Sequence, residues 1–311
     1  MNKFSADVSQ ANTGFVKQIK NNMTAWRQII VCPTDFEFAT EASALTLATW
    51  TTAIKAPVAS RIYPFPQAVS FENQSKESVY EDFSLAGSTF VKEGTIGFTM
   101  YLNINKAQAN KLRKFNGRSC KIFIIDDNGN ILCTSFDGTK VQPFSVQEIR
   151  IETAKLSDGS ASVTTPVKVV LLDTTEFNDR GYVLQPLKAT SAWNPKLPSN
   201  LDGVYDVTLS VSDIAAAGFV ASVNIDSIVT TDESSAIVGL AKDDFTLIDK
   251  DGDVVSITTA TDNGDGTYDI AVTIAAADSP YSFDLVACGS VSLTDIAIES
   301  TGAVAVTVVE A

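Results

Sequence analysis

The sequence predicts a mainly-β protein in which a β-barrel or sandwich with one packed helix is followed by a second β-sandwich. Runs of β-branched and aromatic residues, bounded by Gly, Asn and Asp turns, recur along most of the 311 residues, as is typical of strands. Residues 1–196 carry 21 Lys and Arg against 18 Asp and Glu, whereas residues 197–311 carry 2 against 19. The net charge is therefore +3 for residues 1–196 and −17 for residues 197–311, which sum to −14. This step in charge predicts a domain boundary near residue 197.

Residues 1–70 are predicted to form an N-terminal arm and a long inter-subunit loop. The spacing of Phe15, Ile19, Trp26 and Ile30 indicates a short helix in the arm. Residues 31–70 are unusually apolar for a segment without clear periodicity. Two interpretations of this segment stand equally: it completes its burial on a neighbouring copy, or it forms ordinary core strands.

Residues 71–190 are predicted to form the first β domain. Its start, residues 71–95, contains two short half-exposed strands joined through Ala86-Gly87-Ser88. Residues 141–156 and 163–173 alternate as long strands and are expected to pair antiparallel. Residues 174–200 are rich in Pro, Asn and Ser and are interpreted as a linker region, with the linker between the two domains at 191–200.

The clearest local unit is a strand, a helix and a hairpin in succession. These are IGFTMYLNI (96–104), NKAQANKLRKFNG (105–117) and RSCKIFIIDDNGNILCTSF (118–136), which turns at Asp127-Asn128-Gly129-Asn130. Ala109, Leu112 and Phe115 recur every three residues, so one narrow helix face is expected to pack on the sheet. Asn105 is predicted to cap the helix and Gly117 to end it.

Basic side chains cover much of the remaining helix surface and its C-terminal flank: Lys106, Lys111, Arg113, Lys114, Arg118 and Lys121. A nucleic-acid surface is one interpretation, but the stretch has neither interleaved aromatic residues nor a recognised binding motif. A solvated helix face is favoured, and contact with acidic groups of a neighbouring subunit is the next choice.

Residues 201–311 are predicted to form an acidic antiparallel β-sandwich. Short strands separated by Gly and Asp turns indicate this architecture; they are expected at 203–212, 221–230, 243–260, 266–275, 281–288 and 302–310. DGVYDVTLSV (202–211) and DGTYDIAVTI (265–274) resemble each other. They are interpreted as two strands of one sandwich, because an offset of 63 residues is short for a duplicated domain.

No catalytic, cofactor-binding or metal-binding residue is predicted, and the chain is expected not to be an enzyme. It contains no His, the commonest general base, and no nucleotide-binding or hydrolase motif. Cys32, Cys120, Cys133 and Cys288 fit neither a zinc pattern nor a redox motif, so all four are expected to be free thiols. The acidic cluster Asp249–Asp253 departs from EF-hand spacing; a hairpin turn is favoured, and a weak surface Ca²⁺ site stays open.

The sequence predicts no membrane span, because no run approaches the 18 apolar residues that a span needs. The N-terminus lacks the apolar core of a signal peptide, so the chain is expected to stay in the cytoplasm unless it leaves within a larger particle. Its acidic part is expected to repel nucleic acid and anionic membranes.

Two resemblances to known families follow from these residues. AIVGLAKDDFTLIDKDGDVVSITTATDNGDGTYDIAVTI (236–274) resembles bacterial Ig-like modules of adhesins and phage virion proteins. The order of elements over 71–185, from FVKEGT through the helix and hairpin to VQEIRIETAKL and TPVKVVLLD, is similar to that of the tail-tube family of tailed phages and the related type VI secretion tube proteins. This second resemblance implies a tube-type β-barrel or sandwich subunit that closes hexameric rings, with the Ig-like part outside.

The resemblance also implies a structural virion protein, made in the host cytoplasm, whose partners are its own copies and other virion proteins. DNA would pass through the lumen of such a tube without specific contacts. A viral coat protein of double jelly-roll type is an alternative, since strand-rich chains of this length are also built that way. A surface-binding module or adhesin is a second alternative.

Overall fold

The computed structural model describes residues 2–3, 25–83, 87–154, 163–197, 200–225, 236–286 and 297–308. The chain separates into two compact units, Met1–Ile54 with Val58–Asp202 and Gly203–Ala311 with Lys55–Pro57. Both are built mainly from β-strands in several sheets, which confirms the predicted fold class as a mainly-β sandwich architecture.

In the described part of the first unit, the strands are β1 (Asn2–Lys3), β2 (Trp26–Cys32), β3 (Tyr63–Pro64), β4 (Ala68–Asn73), β5 (Val79–Phe83), β6 (Gly87–Lys92), β7 (Gly97–Leu102), β8 (Lys121–Asp126), β9 (Ile131–Thr134), β10 (Phe144–Ile151), β11 (Thr165–Leu171) and β12 (Gly181–Leu184). The helices are α1 (Glu41–Ala44), α2 (Leu47–Ile54), α3 (Lys106–Leu112) and α4 (Thr174–Asn178).

The main sheet runs in the order β1–β12–β9–β8–β10–β11–β7–β4, with β2 pairing to β8 and to β3. Two strands, β9 and β10, pair with different parts of the same edge of β8: Ile125 pairs with Ile131 of β9, and Ile122 pairs with Phe144 of β10. The two parts of the sheet contribute to one core cluster, in which Ile29 and Ile124 pack with residues such as Met100. The sheet therefore encloses its own core as a folded-over sandwich.

The second face of the sheet around β2 and β8 is also buried, and residues 36–54 and 58–62 contribute to its cover. The ring of Trp50 lies 4.7 Å from that of Phe38 and 5.0 Å from that of Phe123, measured between centroids. Trp50 and Ile62 are fully buried. The expectation that residues 31–70 complete their burial on another copy is therefore wrong for these side chains, which their own chain already buries.

The described residues of this stretch, 174–197 and 200, are not an extended linker, contrary to the sequence prediction. They contain α4 and β12, and β12 pairs antiparallel with β9, with Val183 opposite Leu132. Further along, Trp193 is 6 % exposed, and its indole N–H donates to the carbonyl of Leu45 at 2.8 Å. The apolar residues of this stretch form part of the core of the first unit, which extends to Asp202.

The predicted strand, helix and hairpin over residues 96–136 are confirmed as β7, α3, β8 and β9. The side chain of Asn105 accepts a hydrogen bond from the backbone N–H of Gln108 at 2.8 Å, and the Gln108 side chain accepts one in return from Asn105 at 3.3 Å. This reciprocal capping box begins the helix. Ala109 is buried, and Leu112 packs against the core, so the predicted inward face is confirmed.

The turn between β8 and β9 is organised by Asp126, one residue before the predicted turn. Its buried carboxylate accepts the backbone N–H groups of Asn128 and Asn130 at 2.9 and 2.8 Å. Gly129 adopts a φ of +75°, which glycine reaches without steric cost. The two long strands predicted next are also confirmed, since β10 and β11 pair antiparallel.

In the described part of the second unit, the strands are β13 (Val204–Ala215), β14 (Gly218–Ile225), β15 (Phe245–Ile248), β16 (Thr259–Asp262), β17 (Thr267–Ala271), β18 (Tyr281–Leu285), β19 (Ala297–Ser300) and β20 (Val304–Val306). They form two sheets, β16–β17–β14–β13–β19 and β15–β18–β20, around a shared apolar core. The predicted sandwich is thus confirmed.

Two details of the second unit differ from the sequence prediction. The single strand expected at 243–260 is divided, because the turn at Asp249–Asp253 separates β15 in one sheet from β16 in the other. In addition, β19 was not predicted and pairs parallel to β13. The two similar segments are confirmed as strands of one sandwich, since β13 and β17 both pair with β14.

Candidate interaction surface

The hairpin β5–β6 stands apart from the main sheet as a two-stranded sheet of its own. Tyr80 lies opposite Phe90 in the register, and their ring centroids are 5.7 Å apart in an edge-to-face arrangement. These two side chains are 59 % and 54 % exposed, and Val79 and Val91 are 53 % and 56 % exposed. The hairpin therefore presents four large apolar side chains to solvent.

The base of the hairpin is closed by a backbone bridge that lies between β5–β6 and the paired strands β4 and β7. Lys76 and Thr95 exchange both backbone hydrogen bonds, at 2.8 and 2.9 Å. Gly94 is required at this point, because a Cβ there would lie 2.2 Å from the carbonyl oxygen of Lys76. The backbone N–H of Gly94 also donates to the Ser78 hydroxyl at 3.1 Å. The ribbon is thus closed at its base, and residues 79–81 and 89–92 are exposed to solvent.

A cavity of about 310 Å³ lies beside the base of the hairpin, at Ser75 and Ile96. It is bordered by the rings of Trp26 and Phe71, whose centroids are 5.3 Å apart. The full lining is Trp26, Phe71, Asn73, Ser75, Ile96, Phe177 and Asn178. Three aromatic rings with amide and hydroxyl groups beside them suit contact with an apolar side chain of a partner.

An isolated two-stranded hairpin is marginally stable in water, because a third strand or a packed layer is normally needed to cover its apolar side chains. In β5–β6, Tyr80 and Phe90 cover each other only in part, since more than half of each remains exposed. This hairpin therefore has the properties of an interaction element rather than of a structural layer of its own unit.

The predicted basic side chains lie on and after α3, and the structure divides them by environment. Arg113 is engaged locally, because its guanidinium donates to the carbonyl of Glu152 at 3.2 Å and to the side chain of Asn110 at 2.6 Å. Lys106, Lys114 and Arg118 are exposed. The predicted solvated face is confirmed for these three side chains.

The acidic cluster Asp249–Asp253 forms a turn, as the sequence favours. One carboxylate oxygen of Asp249 accepts the backbone N–H groups of Asp251 and Asp253, each at 2.9 Å. Gly252 adopts a φ of +95° within this turn. Across the described ranges, no group of three or more Cys, Asp or Glu side chains is placed to hold a metal ion.

Three of the four predicted free thiols lie in the described chain, and all three are unbonded and buried: Cys32, Cys120 and Cys133. Burial raises the pKa of the Cys120 thiol to about 11 and raises that of Cys32 well above its usual range. Such thiols remain protonated and unreactive near neutral pH. Cys288 lies outside the described residues.

The chain matches no protein-family model, and no curated protein matches it. Of the helices that the structure describes, none is long and apolar enough to cross a membrane.

The sequence predicts the strands β5 and β6 but not their role. Glu77, Glu81 and Asp82 lie among Val79, Tyr80 and Phe83, which predicts a half-exposed strand. This pattern is compatible with any edge of a sheet. The sequence does not show that the described hairpin lacks a third strand. That property depends on where β4 and β7 pair in the main sheet. The one available signal was the presence of apolar aromatic residues on both strands, at Tyr80 and Phe90.

Proposed function

We propose that this chain is a structural protein without enzymatic activity that assembles with its own copies into rings or a tube, as a component of a virion. The resemblance of residues 71–185 to tail-tube proteins suggests hexameric rings, with other virion proteins as neighbours and DNA passing through the lumen. The second unit would then decorate the outside as an Ig-like appendage.

The observation that carries this proposal is the exposed apolar surface of β5–β6. Full burial of a Val or Phe side chain stabilises by about 1.5–3 kcal/mol, so covering the exposed halves of these side chains contributes roughly 1 kcal/mol each. Association costs about 4–15 kcal/mol in lost freedom of motion. Burial of the hairpin side chains alone is therefore too weak to hold two copies together. A wider contact is favoured, and with it a closed ring in which each copy has two neighbours.

The direct test is the mass of the purified chain in solution across a wide concentration range, followed by negative-stain microscopy. We expect rings or stacked rings. In a Tyr80→Thr/Phe90→Thr variant, which keeps residues compatible with strands, we expect the large species to be lost. Val254→Ser is the matched control, because Val254 is 75 % exposed in the other unit.

A wild-type chain that stays monomeric at every concentration would refute the proposal. Closed shells in the micrographs would instead favour a coat protein of double jelly-roll type. Equal loss of assembly in the Val254→Ser control would show that the effect is not specific to the hairpin.

A further inference from the structure

The hairpin β5–β6 and the helix α3 carry opposite charge. Residues 76–93 contain four Asp and Glu and two Lys, for a net charge of −2. Residues 105–121 contain six Lys and Arg and no Asp or Glu, for a net charge of +6. Opposite electrostatic potentials of this kind guide two surfaces into one relative orientation and disfavour contacts between surfaces of like charge.

These two charged elements lie at opposite ends of one strand. The hairpin ends just before β7 begins at Gly97, and the cap of α3, Asn105, follows the last residue of β7, Leu102. Six strand residues span roughly 20 Å. Two complementary surfaces at the two ends of a rigid strand favour head-to-tail contact between copies, because each copy then offers one free surface at each end.

The basic side chains are available for such a contact. Lys106, the first residue of α3, and Lys114, in the turn that follows the helix, are both exposed, whereas Ala109 and Leu112 pack toward the core. Within the described ranges, neither Lys106, Lys114 nor Arg118 makes an ion pair. On the hairpin, Glu77 and Glu81 are likewise exposed.

We propose that the hairpin β5–β6 of one copy docks against a basic face of a second copy, formed by the exposed Lys106 of α3 and Lys114 of the turn after it, with Glu77 and Glu81 near these two side chains. This inference rests on the proposed self-assembly and names its contact. The apolar pair Tyr80 and Phe90 supplies the buried area, while the charges fix the direction of the contact.

Nucleic acid is the competing occupant of the basic face. The structure favours a second copy, because the same chain carries the complementary acidic and apolar surface. The basic stretch itself offers no exposed aromatic ring for stacking on bases in the described residues, since Phe115 packs against Tyr63 and Phe65 with centroids 5.1 and 5.4 Å apart.

A charge-exchange experiment on the full chain tests this contact. One variant carries Glu77→Lys and Glu81→Lys, and the other carries Lys106→Glu and Lys114→Glu. We expect each variant alone to need at least about tenfold higher concentration for half-assembly, which corresponds to 1.4 kcal/mol. An equimolar mixture should assemble better than either variant, because the hairpin of one then faces the helix of the other.

The control is Lys188→Glu, which reverses an exposed base of the same unit outside α3, and it should assemble as the wild type does. Assembly of the wild type together with unchanged assembly of both double variants would overturn the docking contact and leave the proposed function intact. A wild-type chain that does not assemble would refute both the docking contact and the proposed function. Binding of a duplex DNA that is lost only in Lys106→Glu/Lys114→Glu, with assembly unchanged, would assign the basic face to nucleic acid instead.

Discussion

Glu176 and Ser145 are joined by two hydrogen bonds across the first unit. The Glu176 carboxylate accepts the backbone N–H of Ser145 at 2.6 Å and its hydroxyl at 2.8 Å. Glu176 lies in α4 and is only 5 % exposed, and Ser145 lies in β10. This pair fastens to the sheet a stretch whose composition alone predicts a linker.

Replacing the Glu176 carboxylate should destabilise the first unit. In Glu176→Gln, one acceptor becomes an amide donor facing the Ser145 groups, so we expect a loss of about 1–3 kcal/mol in unfolding free energy. Urea unfolding followed by tryptophan fluorescence measures this loss, because the three tryptophans of the chain, Trp26, Trp50 and Trp193, all belong to the first unit.

The matched control for this pair is Glu148→Gln. Glu148 is half-exposed and lies 3.6 Å from Arg150 in an ion pair, and such surface pairs contribute little. We expect its unfolding free energy to stay within about 0.5 kcal/mol of the wild type. Equal losses of unfolding free energy in Glu176→Gln and Glu148→Gln would show that the buried Glu176 contact stabilises the unit no more than a surface ion pair does.

Tyr268 gives the second unit a distinct response to alkaline pH. Its buried hydroxyl donates to the carbonyl of Ile237 at 2.8 Å and accepts the N–H of Leu240 at 3.3 Å. Burial raises the Tyr268 pKa to about 12, against about 10 in an unfolded chain. The resulting stabilisation is fully present below pH 10 and is lost as the pH rises toward 12.

In Tyr268→Phe we expect lower stability at neutral pH, by about 1–3 kcal/mol, because the partners of the hydroxyl remain buried. We also expect the gap between wild type and variant to narrow above pH 10. Urea unfolding followed by far-UV circular dichroism at pH 7, 9 and 11 measures both effects. A gap that stays constant with pH would contradict the assigned role of the hydroxyl.

Local signals explain what could be predicted from the sequence. The capping residue Asn105, the Gly117 stop and the Asp-Asn-Gly turn act within a few residues, so strand, helix and hairpin followed from them. The two similar strands of the second unit were recognised for the same reason, because Tyr205 and Tyr268 occupy equivalent positions in matching patterns.

Long-range partners explain what could not be predicted. Trp50 and Trp193 are 143 positions apart in the sequence yet lie 6.2 Å apart between ring centroids, so neither stretch shows by itself that it covers the sheet. The exposed surface of the hairpin β5–β6 could not be predicted for the same reason. The sequence placed two half-exposed strands around Tyr80 and Phe90, but their exposure follows from the pairing of the main sheet elsewhere.

The turn at Asp249–Asp253 provides a test of the remaining calcium hypothesis. One oxygen of Asp249 already accepts two backbone N–H groups, so this carboxylate is engaged in holding the turn. We expect Asp249→Ala to lower the stability of the second unit by about 1 kcal/mol. Asp251→Ala is the control within the same cluster, because Asp251 is exposed, and it should have an effect within about 0.5 kcal/mol.

Calorimetry with millimolar Ca²⁺ separates a turn from a metal site. A cation held here needs six to eight oxygen ligands, whereas the described residues place no cluster of three acidic side chains for it. We therefore expect no heat of binding and no change in unfolding free energy on adding Ca²⁺. Heat that disappears in both Asp249→Ala and Asp251→Ala would instead establish a calcium site, because a turn that depends only on Asp249 is insensitive to the second substitution.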